Sequence, residues 1–234
     1  PEALCKAAAA AIRRLDADVL CMQEVESYEA LIQFRDRYLA GMGYDHVVSI
    51  DAGDPRGIEC SVLSRFPLSD PKVWRDLPLG REPDQVGNRA NANAGKPLVM
   101  KRSPLRVTVE VPAEHVARLR KAELPGAPAA EAKPYRLTLF VVHHKSGRDF
   151  GFQREREAGV VVGLVQDLLK SDPEANVAVL GDFNAQLSEK PMAVYREAGM
   201  VSVFADRSAR DAATTSHSSG RTIDHILLGA NARA

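Results

Sequence analysis

Apolar residues recur along the chain with two different periods, and each period predicts a different element. Helical spacing marks residues 1–15, 27–40 and 151–170, and we expect a short helix after Pro191. Shorter apolar or alternating runs predict strands, which we expect at residues 19–22, 44–50, 58–64, 105–111, 135–143, 177–180 and 222–228. Strands that alternate with helices indicate an α/β protein.

Two segments interrupt these patterns. Residues 77–98 hold four Asn or Gln residues, several Gly and Pro, and little periodicity, so we predict a long loop there. Residues 112–134 are rich in Ala, Pro and charge, which predicts an inserted or flexible loop with one short helix around Glu114–Lys121.

Composition excludes some classes of protein and leaves others open. The 234 residues suit one large α/β domain or two small ones, and 45% of them are hydrophobic, which is enough for a substantial core. Lys plus Arg equals Asp plus Glu at 31 each, so net charge argues neither for nor against nucleic acid. Cys5, Cys21 and Cys60 form neither a disulfide framework nor a zinc motif. No apolar run is long enough for a transmembrane segment, and the localisation stays open because the chain begins at Pro1 and looks trimmed.

Polar residues follow four of the predicted strands, where α/β proteins usually place their sites. They are Gln23-Glu24, His143 to Ser146, Gly181 to Asn184, and Asp224. Three carboxylates brought together raise one another's pKa, and a hard divalent cation such as Mg²⁺ relieves that repulsion. This chemistry favours attack on phosphorus, with the metal and hydrogen-bond donors stabilising the developing charge.

The ordered motifs QEVE, HHKS, GDFNA and TIDHIL resemble the endonuclease/exonuclease/phosphatase superfamily over nearly the whole chain. Segments beginning at Arg56, Arg102 and Arg154 are similar to those of bacterial extracellular nuclease-like members. The resemblance implies one domain over residues 1–234 with the DNase I-like fold. That fold is a four-layer α-β-β-α sandwich, in which two mixed β-sheets pack face to face with helices outside.

The resemblance also implies roles for individual residues. Glu24 and Asp182 would bind Mg²⁺, with Mn²⁺ or Ca²⁺ also possible. His143, Asp182, Asn184, Asp224 and Glu59 would form the catalytic set. In that set the family role of Asp224 would be to hold a second histidine. Glu59 is our own candidate for the carboxylate partner that an imidazolium at His143 would require, and the alternative is an ordinary exposed strand acid.

Phosphate contacts are expected from Asn184, Lys145 and Arg102. Each residue also has an ordinary structural interpretation. Glu24 could cap the next helix, Gly-Asp-x-Asn is good turn chemistry, and Lys145 and Arg102 could be solvated. Of the paired histidines, His144 is expected to pack or face solvent.

Two family elements are missing from the sequence. Members usually open with a strand that carries an Asn, and they usually finish with a Ser-Asp-His segment beyond the strand that contains Asp224. We therefore expect the chain to be a piece of a longer protein. This piece would lack the first and last strands of the domain, and we expect it to be weakly active or inactive by itself.

These observations predict a Mg²⁺-dependent phosphodiesterase, in first place a nuclease, that acts as a monomer on nucleic acid or another phosphoester. Two alternatives stay open. One is an inositol-phosphate or sphingolipid phosphoesterase, and the other is a non-catalytic binding module of the same fold. No basic and aromatic stacking surface is visible in the sequence to favour nucleic acid.

Overall fold

The computed structural model describes residues 2–123, 132–205 and 215–233. The helices of these residues are α1 (Glu2–Leu15), α2 (Tyr28–Tyr38), α3 (Ala113–Glu123), α4 (Gly151–Ser171) and α5 (Lys190–Glu197). The strands are β1 (Val19–Val25), β2 (His46–Ser49), β3 (Glu59–Ser64), β4 (Leu68–Lys72), β5 (Leu77–Arg81), β6 (Gln85–Val86), β7 (Arg89–Ala90), β8 (Pro97–Met100), β9 (Leu105–Val111), β10 (Tyr135–His143), β11 (Asn176–Asp182), β12 (Val201–Ser202) and β13 (Asp224–Leu228).

Two sheets form the centre of the molecule. The smaller sheet has the order β1-β3-β2, and both of its strand pairs are antiparallel. The larger sheet has the order β12-β13-β11-β10-β9-β4, in which β10 and β11 are parallel and the other pairs are antiparallel. Within the described residues, the larger sheet is therefore mixed as expected, whereas the smaller sheet is antiparallel and not mixed.

Three apolar clusters bind these sheets and helices into four layers. The first lies between the sheets and includes Val62, Val107 and Val141. The second packs α4 and α5 on the outer face of the larger sheet through residues such as Phe140. The third packs α1 and α2 on the smaller sheet around Leu31. Because side chains alternate along a strand, neighbouring residues of the larger sheet face different layers. The expected four-layer α-β-β-α architecture is confirmed.

Local sequence signals explain several element boundaries. Ser27 caps α2, since its hydroxyl oxygen accepts a hydrogen bond from the Ala30 backbone N–H at 3.1 Å. Gly41 and Gly43 follow that helix with positive φ angles of 80° and 77°. The short helix expected around Glu114–Lys121 is α3, while residues 124–131 of the predicted 112–134 loop lie outside the described residues.

The prediction of a long loop over residues 77–98 is wrong. This segment forms two antiparallel ribbons, β5 with β8 and β6 with β7. Leu79, Leu98 and Met100 of the longer ribbon are buried and join the cluster beneath α4. The strands are short and interrupted by Gly and Pro, so they lack the alternation that identifies a strand in sequence. No helix of the described residues is long and apolar enough to cross a membrane.

Candidate active site

Strand register brings three of the expected residues side by side at one end of the larger sheet. His143 is paired with Asp182 between β10 and β11, and Asp182 is paired with Asp224 between β11 and β13. Their side chains share the face that packs against the smaller sheet, because Val141 and Leu228 on the same alternation lie in the inter-sheet cluster. The site therefore lies at the rim where the two sheets meet.

Gly181 permits the close approach of backbone groups at this rim. Its φ angle is 134°, and a Cβ atom built there would lie 2.1 Å from the Val142 carbonyl oxygen and 2.9 Å from Gln23 Nε2. Only glycine adopts such a conformation without strain. The Gly before Asp182 is therefore a structural requirement of the GDFN motif, in addition to any turn preference.

Asp182 and Asn184 form a fixed pair at the end of β11. The Asn184 backbone N–H donates to Asp182 Oδ1 at 2.7 Å, and Asn184 Nδ2 donates to the His144 carbonyl oxygen at 3.1 Å. Asn184 has a φ of 50°, a left-handed conformation that Asn tolerates. Burial raises the pKa of Asp182, and nearby Asp224 raises it further, while the Asn184 N–H opposes both. Asp182 Oδ2 is the oxygen left for other partners.

His143 accepts a hydrogen bond from Arg102. The two atoms, Arg102 Nη1 and His143 Nε2, are 2.8 Å apart, and the guanidinium must donate because it has no lone pair to accept with. Burial lowers the pKa of His143 to about 4, and the positive charge of Arg102 acts in the same direction. Asp182 Oδ2 and Glu24 Oε1 lie 3.7 and 3.9 Å from the same Nε2 atom.

Glu24 belongs to the other sheet and is less constrained. The register of β1 against β3 shifts between Met22 and Val25, and Glu24 in this bulge has a φ of 58°. Its side chain is 60% exposed, and its carboxylate lies 3.3 Å from Arg56 Nη2. The bulge turns Glu24 towards His143 across the gap between the sheets.

Asp54 was not among the expected site residues, yet it connects the two arginines. Its side chain is only 4% exposed, and its carboxylate lies 3.8 Å from Arg56 Nε and 3.4 Å from Arg102 Nε. In sequence Asp54 belongs to the turn-rich segment 51–57, where an Asp is ordinary turn chemistry. Its burial depends on Arg102, which is distant in sequence, so no local signal could have identified it.

Glu59 lies apart from His143. Its Oε2 accepts a hydrogen bond from the Ser49 hydroxyl at 2.7 Å, within the smaller sheet. Among the described residues, the carboxylates within 4 Å of a His143 ring nitrogen are those of Glu24 and Asp182. These two therefore occupy the place that the sequence assigned to Glu59.

His144 faces the helix layer, opposite to His143, as strand alternation requires. It is fully buried, its Nε2 is 2.8 Å from the Tyr195 hydroxyl, and its Nδ1 is 3.3 Å from Glu157 Oε2. Glu157 Oε2 also accepts a hydrogen bond from the Lys145 backbone N–H at 2.8 Å. Helices α4 and α5 thus hold the chain segment that follows β10.

Lys145 lies in a cleft of about 370 Å³ whose lining also includes Arg56 and Arg102. Its Nζ is 4.3 Å from the centre of the Phe150 ring. Burial lowers the pKa of Lys145, and the charge of Arg102 lowers it further. The side chains of Arg56, Arg102 and Lys145 therefore place three positive charges on one wall of the site.

The donor set suits a cation that keeps most of its water ligands. Glu24 and Asp182 approach the same His143 nitrogen from different sheets, so two carboxylates are within reach of one point. Mg²⁺ typically takes one or two carboxylates together with waters and substrate phosphate. No cluster of three or more His, Cys, Asp or Glu side chains able to hold a metal is found in the described part of the chain. The residues fit Mg²⁺ and do not form a closed cage.

A comparison with protein families matches residues 6–234 to the model of the Endonuclease/Exonuclease/phosphatase family. The chain belongs to this family. Membership makes it a hydrolase that acts on phosphoester bonds, as the motifs predicted. A search among curated proteins found no match to the sequence.

Several solved structures have the same fold as this chain. Truncated TDP2 of Caenorhabditis elegans matches with a TM-score of 0.59 and 14% identity, over 96% of this chain and 75% of that one. The human Nocturnin catalytic domain matches with a TM-score of 0.57 and 14% identity, over 94% of this chain and 71% of that one. A mannosyl-6-phosphatase of Bacteroides thetaiotaomicron matches with a TM-score of 0.58 and 14% identity, over 97% of this chain and 76% of that one. At such low identity these likenesses concern the fold alone.

Proposed function

We propose that this family member is a Mg²⁺-dependent phosphodiesterase that cleaves nucleic acid. The observation that carries the proposal is the meeting of Glu24, Asp182 and Arg102 at a single atom, His143 Nε2, at the rim between the sheets. Two carboxylates, an imidazole and a guanidinium at one point can bind a metal and a phosphate together.

Glu24 and Asp182 would hold the metal ion. Mg²⁺ bound there would offset the charge that develops on the phosphoryl oxygens and would lower the pKa of water in its coordination shell. Asp182 Oδ2 is the oxygen available for a water molecule, since Oδ1 already accepts the Asn184 N–H. We propose that Oδ2 of Asp182 serves two tasks, because it would both bind the metal and accept a hydrogen bond from the attacking water.

Cationic and neutral donors would bind the phosphate. Arg102 keeps further N–H groups beside its bond to His143, and Lys145 lines the same cleft. Nε2 of His143 accepts an N–H of Arg102, so it would take a proton near the reacting group only after Arg102 turns that N–H to the phosphate. Asn184 would donate to a phosphoryl oxygen on exchanging its bond with the His144 carbonyl oxygen.

Asp224 and Glu59 receive smaller roles. Asp224 is paired in register with Asp182, and its negative charge raises the pKa of that carboxyl. We propose that it holds a second catalytic histidine in position. Glu59 hydrogen-bonds Ser49, and we propose that it acts on the site only through the smaller sheet.

The test is hydrolysis by the full-length protein, with Mg²⁺ and with the chelator EDTA. Substrates are the dinucleotide dTpdT, mannose 6-phosphate, an inositol phosphate and sphingomyelin. His143→Ala and Asp182→Ala should each lose most of the activity, while Glu26→Gln, an exposed acid beside the site, should keep it. The site assignment fails if all four proteins are equally active.

The same experiment separates the alternatives. Hydrolysis of an inositol phosphate or sphingomyelin in preference to dTpdT would replace nucleic acid as the substrate. A protein that hydrolyses none of these, and that binds no Mg²⁺ by calorimetry, would be a binding module of the family fold.

A further inference from the structure

A basic pocket of about 610 Å³ opens beside Asn184, on a different wall from the cleft that contains Lys145. We use the name basic pocket for the space lined by Ser146, Arg148, Arg154, Asn184, His217 and Arg221. Glu189 also lines it. Asn184 lines the basic pocket and donates its backbone N–H to Asp182, so the basic pocket lies next to the candidate active site.

Arg154 is the most deeply placed cation of the basic pocket. The residue is only 4% exposed, and its Nη1 donates to the carbonyl oxygens of Lys145 and Gly147 at 3.0 and 2.7 Å. Its buried Nε has no hydrogen-bond partner among the described residues. A buried donor left without a partner costs free energy, so such an atom indicates a missing ligand or water. Burial lowers the pKa of Arg154, and Arg221 adds to that effect while Glu189 opposes it.

Positive charge in the basic pocket exceeds negative charge. Arg221 is neutralised by Glu189, with which it forms an ion pair, and it also donates from Nε to Gln186 at 3.1 Å. Arg148 is exposed and has no ion-pair partner in the described parts of the chain. Arg148 and Arg154 therefore leave surplus positive charge beside a site that already binds one phosphate under our proposal.

We propose that the basic pocket binds a second phosphate of the same substrate, next to the phosphodiester that is cleaved. This inference rests on the proposed function and refines it. Guanidinium groups bind phosphate through charge-assisted hydrogen bonds, and Ser146 adds a neutral donor on the wall of the same pocket. Adjacent phosphates are a property of nucleic acid strands, whereas a sphingolipid headgroup contains a single phosphodiester and would leave the basic pocket without a partner.

Calorimetric binding in EDTA tests the pocket without hydrolysis. The ligands are dTpdT, its 5′-phosphorylated form pdTpdT and its 3′-phosphorylated form dTpdTp, with inorganic phosphate as a further probe. One of the two phosphorylated dinucleotides, pdTpdT or dTpdTp, should bind the wild-type chain about tenfold more tightly than dTpdT. Arg148→Gln should reduce that advantage about threefold or more, because one charge-assisted contact is lost.

A double variant, Arg148→Gln with Arg221→Gln, should remove the advantage entirely. Arg221 also bonds Gln186 and Glu189, so this variant is used only if its thermal unfolding matches the wild type; otherwise Arg148→Gln alone decides. The control is Arg136→Gln, an exposed arginine on β10 that lines a groove elsewhere on the molecule. It should keep the full advantage.

Three results would overturn the inference. They are equal affinity of the wild type for all three dinucleotides, an undiminished advantage in Arg148→Gln, and binding of inorganic phosphate as tight as that of the phosphorylated dinucleotide. The last would assign the basic pocket to free phosphate. Absence of Mg²⁺-dependent hydrolysis of dTpdT, with the binding advantage intact, would instead refute the proposed function and leave the pocket assigned.

Discussion

The two sheets contribute their carboxylates to the rim in opposite ways. At the end of β11 in the larger sheet, Asp182 is 23% exposed and its Oδ1 is fixed by a backbone N–H. At the end of β1 in the smaller sheet, Glu24 is 60% exposed and lies in a bulge, and among the described residues its hydrogen bond comes from the exposed side chain of Arg56. One carboxylate is therefore held in a prearranged position, and the other is free to adjust.

This difference divides the tasks of a metal-dependent hydrolase between the sheets. A group that orients the attacking water must be fixed, because small displacements of reacting atoms cost much of the rate. A group that only neutralises a cation can move with it. We expect substitutions at the end of β11 to reduce catalysis and stability strongly. Substitutions at the end of β1 should mainly raise the Mg²⁺ concentration that activity requires.

The largest effect is expected from Asp182→Asn, which keeps the shape of the side chain and removes its charge. Activity of the intact protein on dTpdT should fall by about a thousandfold, because both metal binding and water orientation are lost. Steady-state rates at saturating Mg²⁺ provide the measurement. Asp167→Asn, an exposed carboxylate on α4, is the matched control and should retain full activity.

Gly181→Ala should be the most destabilising of the substitutions at this end of the larger sheet. The added Cβ would meet the Val142 carbonyl oxygen at 2.1 Å, at a φ of 134° that alanine adopts only with strain. A loss of about 3 kcal/mol or more in the free energy of unfolding is expected from these two causes. Urea denaturation measures this loss.

The control for Gly181→Ala is Gly163→Ala, within α4. Nothing lies within 4 Å of a Cβ atom at that position. Alanine there should stabilise the chain by about 0.5–1 kcal/mol. Equal effects of the two substitutions would contradict the close approach of β11 to Val142.

Glu24→Gln should have a smaller effect than Asp182→Asn. We expect a loss of roughly tenfold to a hundredfold in activity at low Mg²⁺, because one charge-assisted contact disappears. Excess Mg²⁺ should restore most of it, since Asp182 remains in place. Rates measured across a Mg²⁺ titration test this, with Glu26→Gln as the neighbouring control. Failure of added metal to restore Glu24→Gln would refute the proposed division of tasks.

The smallest effect concerns His225, which belongs to β13 in the larger sheet. Burial lowers its pKa, while its Nε2, 2.9 Å from the Ala185 carbonyl oxygen, forms a hydrogen bond that opposes the shift. A histidine with a lowered pKa contributes stability that is complete above its ordinary pKa and is lost as the pH falls towards the lowered value. His225→Phe should therefore lose less stability than the wild type between pH 7 and pH 5, as measured by urea denaturation at each pH. Identical losses would contradict a neutral, buried imidazole.

The elements that position the site could be predicted from sequence because their patterns are local. Each of β1, β10 and β11 contains a run of four apolar residues, at 19–22, 139–142 and 177–180, and a polar residue of the rim follows within two positions. The alternation of His143 and His144 is also a local property, since adjacent residues of a strand always face opposite sides. Family motifs then selected which of the two faces the site.

Contacts between distant segments could not be predicted in the same way. Asp54 joins Arg56 and Arg102 although its own segment contains only turn residues. Glu59 stands in a motif segment, yet the register of β2 against β3 brings it to Ser49. The ribbon of β5 and β8 is stabilised by burial under α4, a contact with a segment that is distant in sequence.

The opposite orientations of His143 and His144 have a consequence for the folding of this chain. A slip of one residue in the register of β10 would exchange the two imidazoles, so that the one now bonded to Tyr195 would face the rim. Such a molecule would retain its composition and most of its secondary structure. Catalytic turnover per molecule would then count correctly registered chains, which circular dichroism alone would not distinguish.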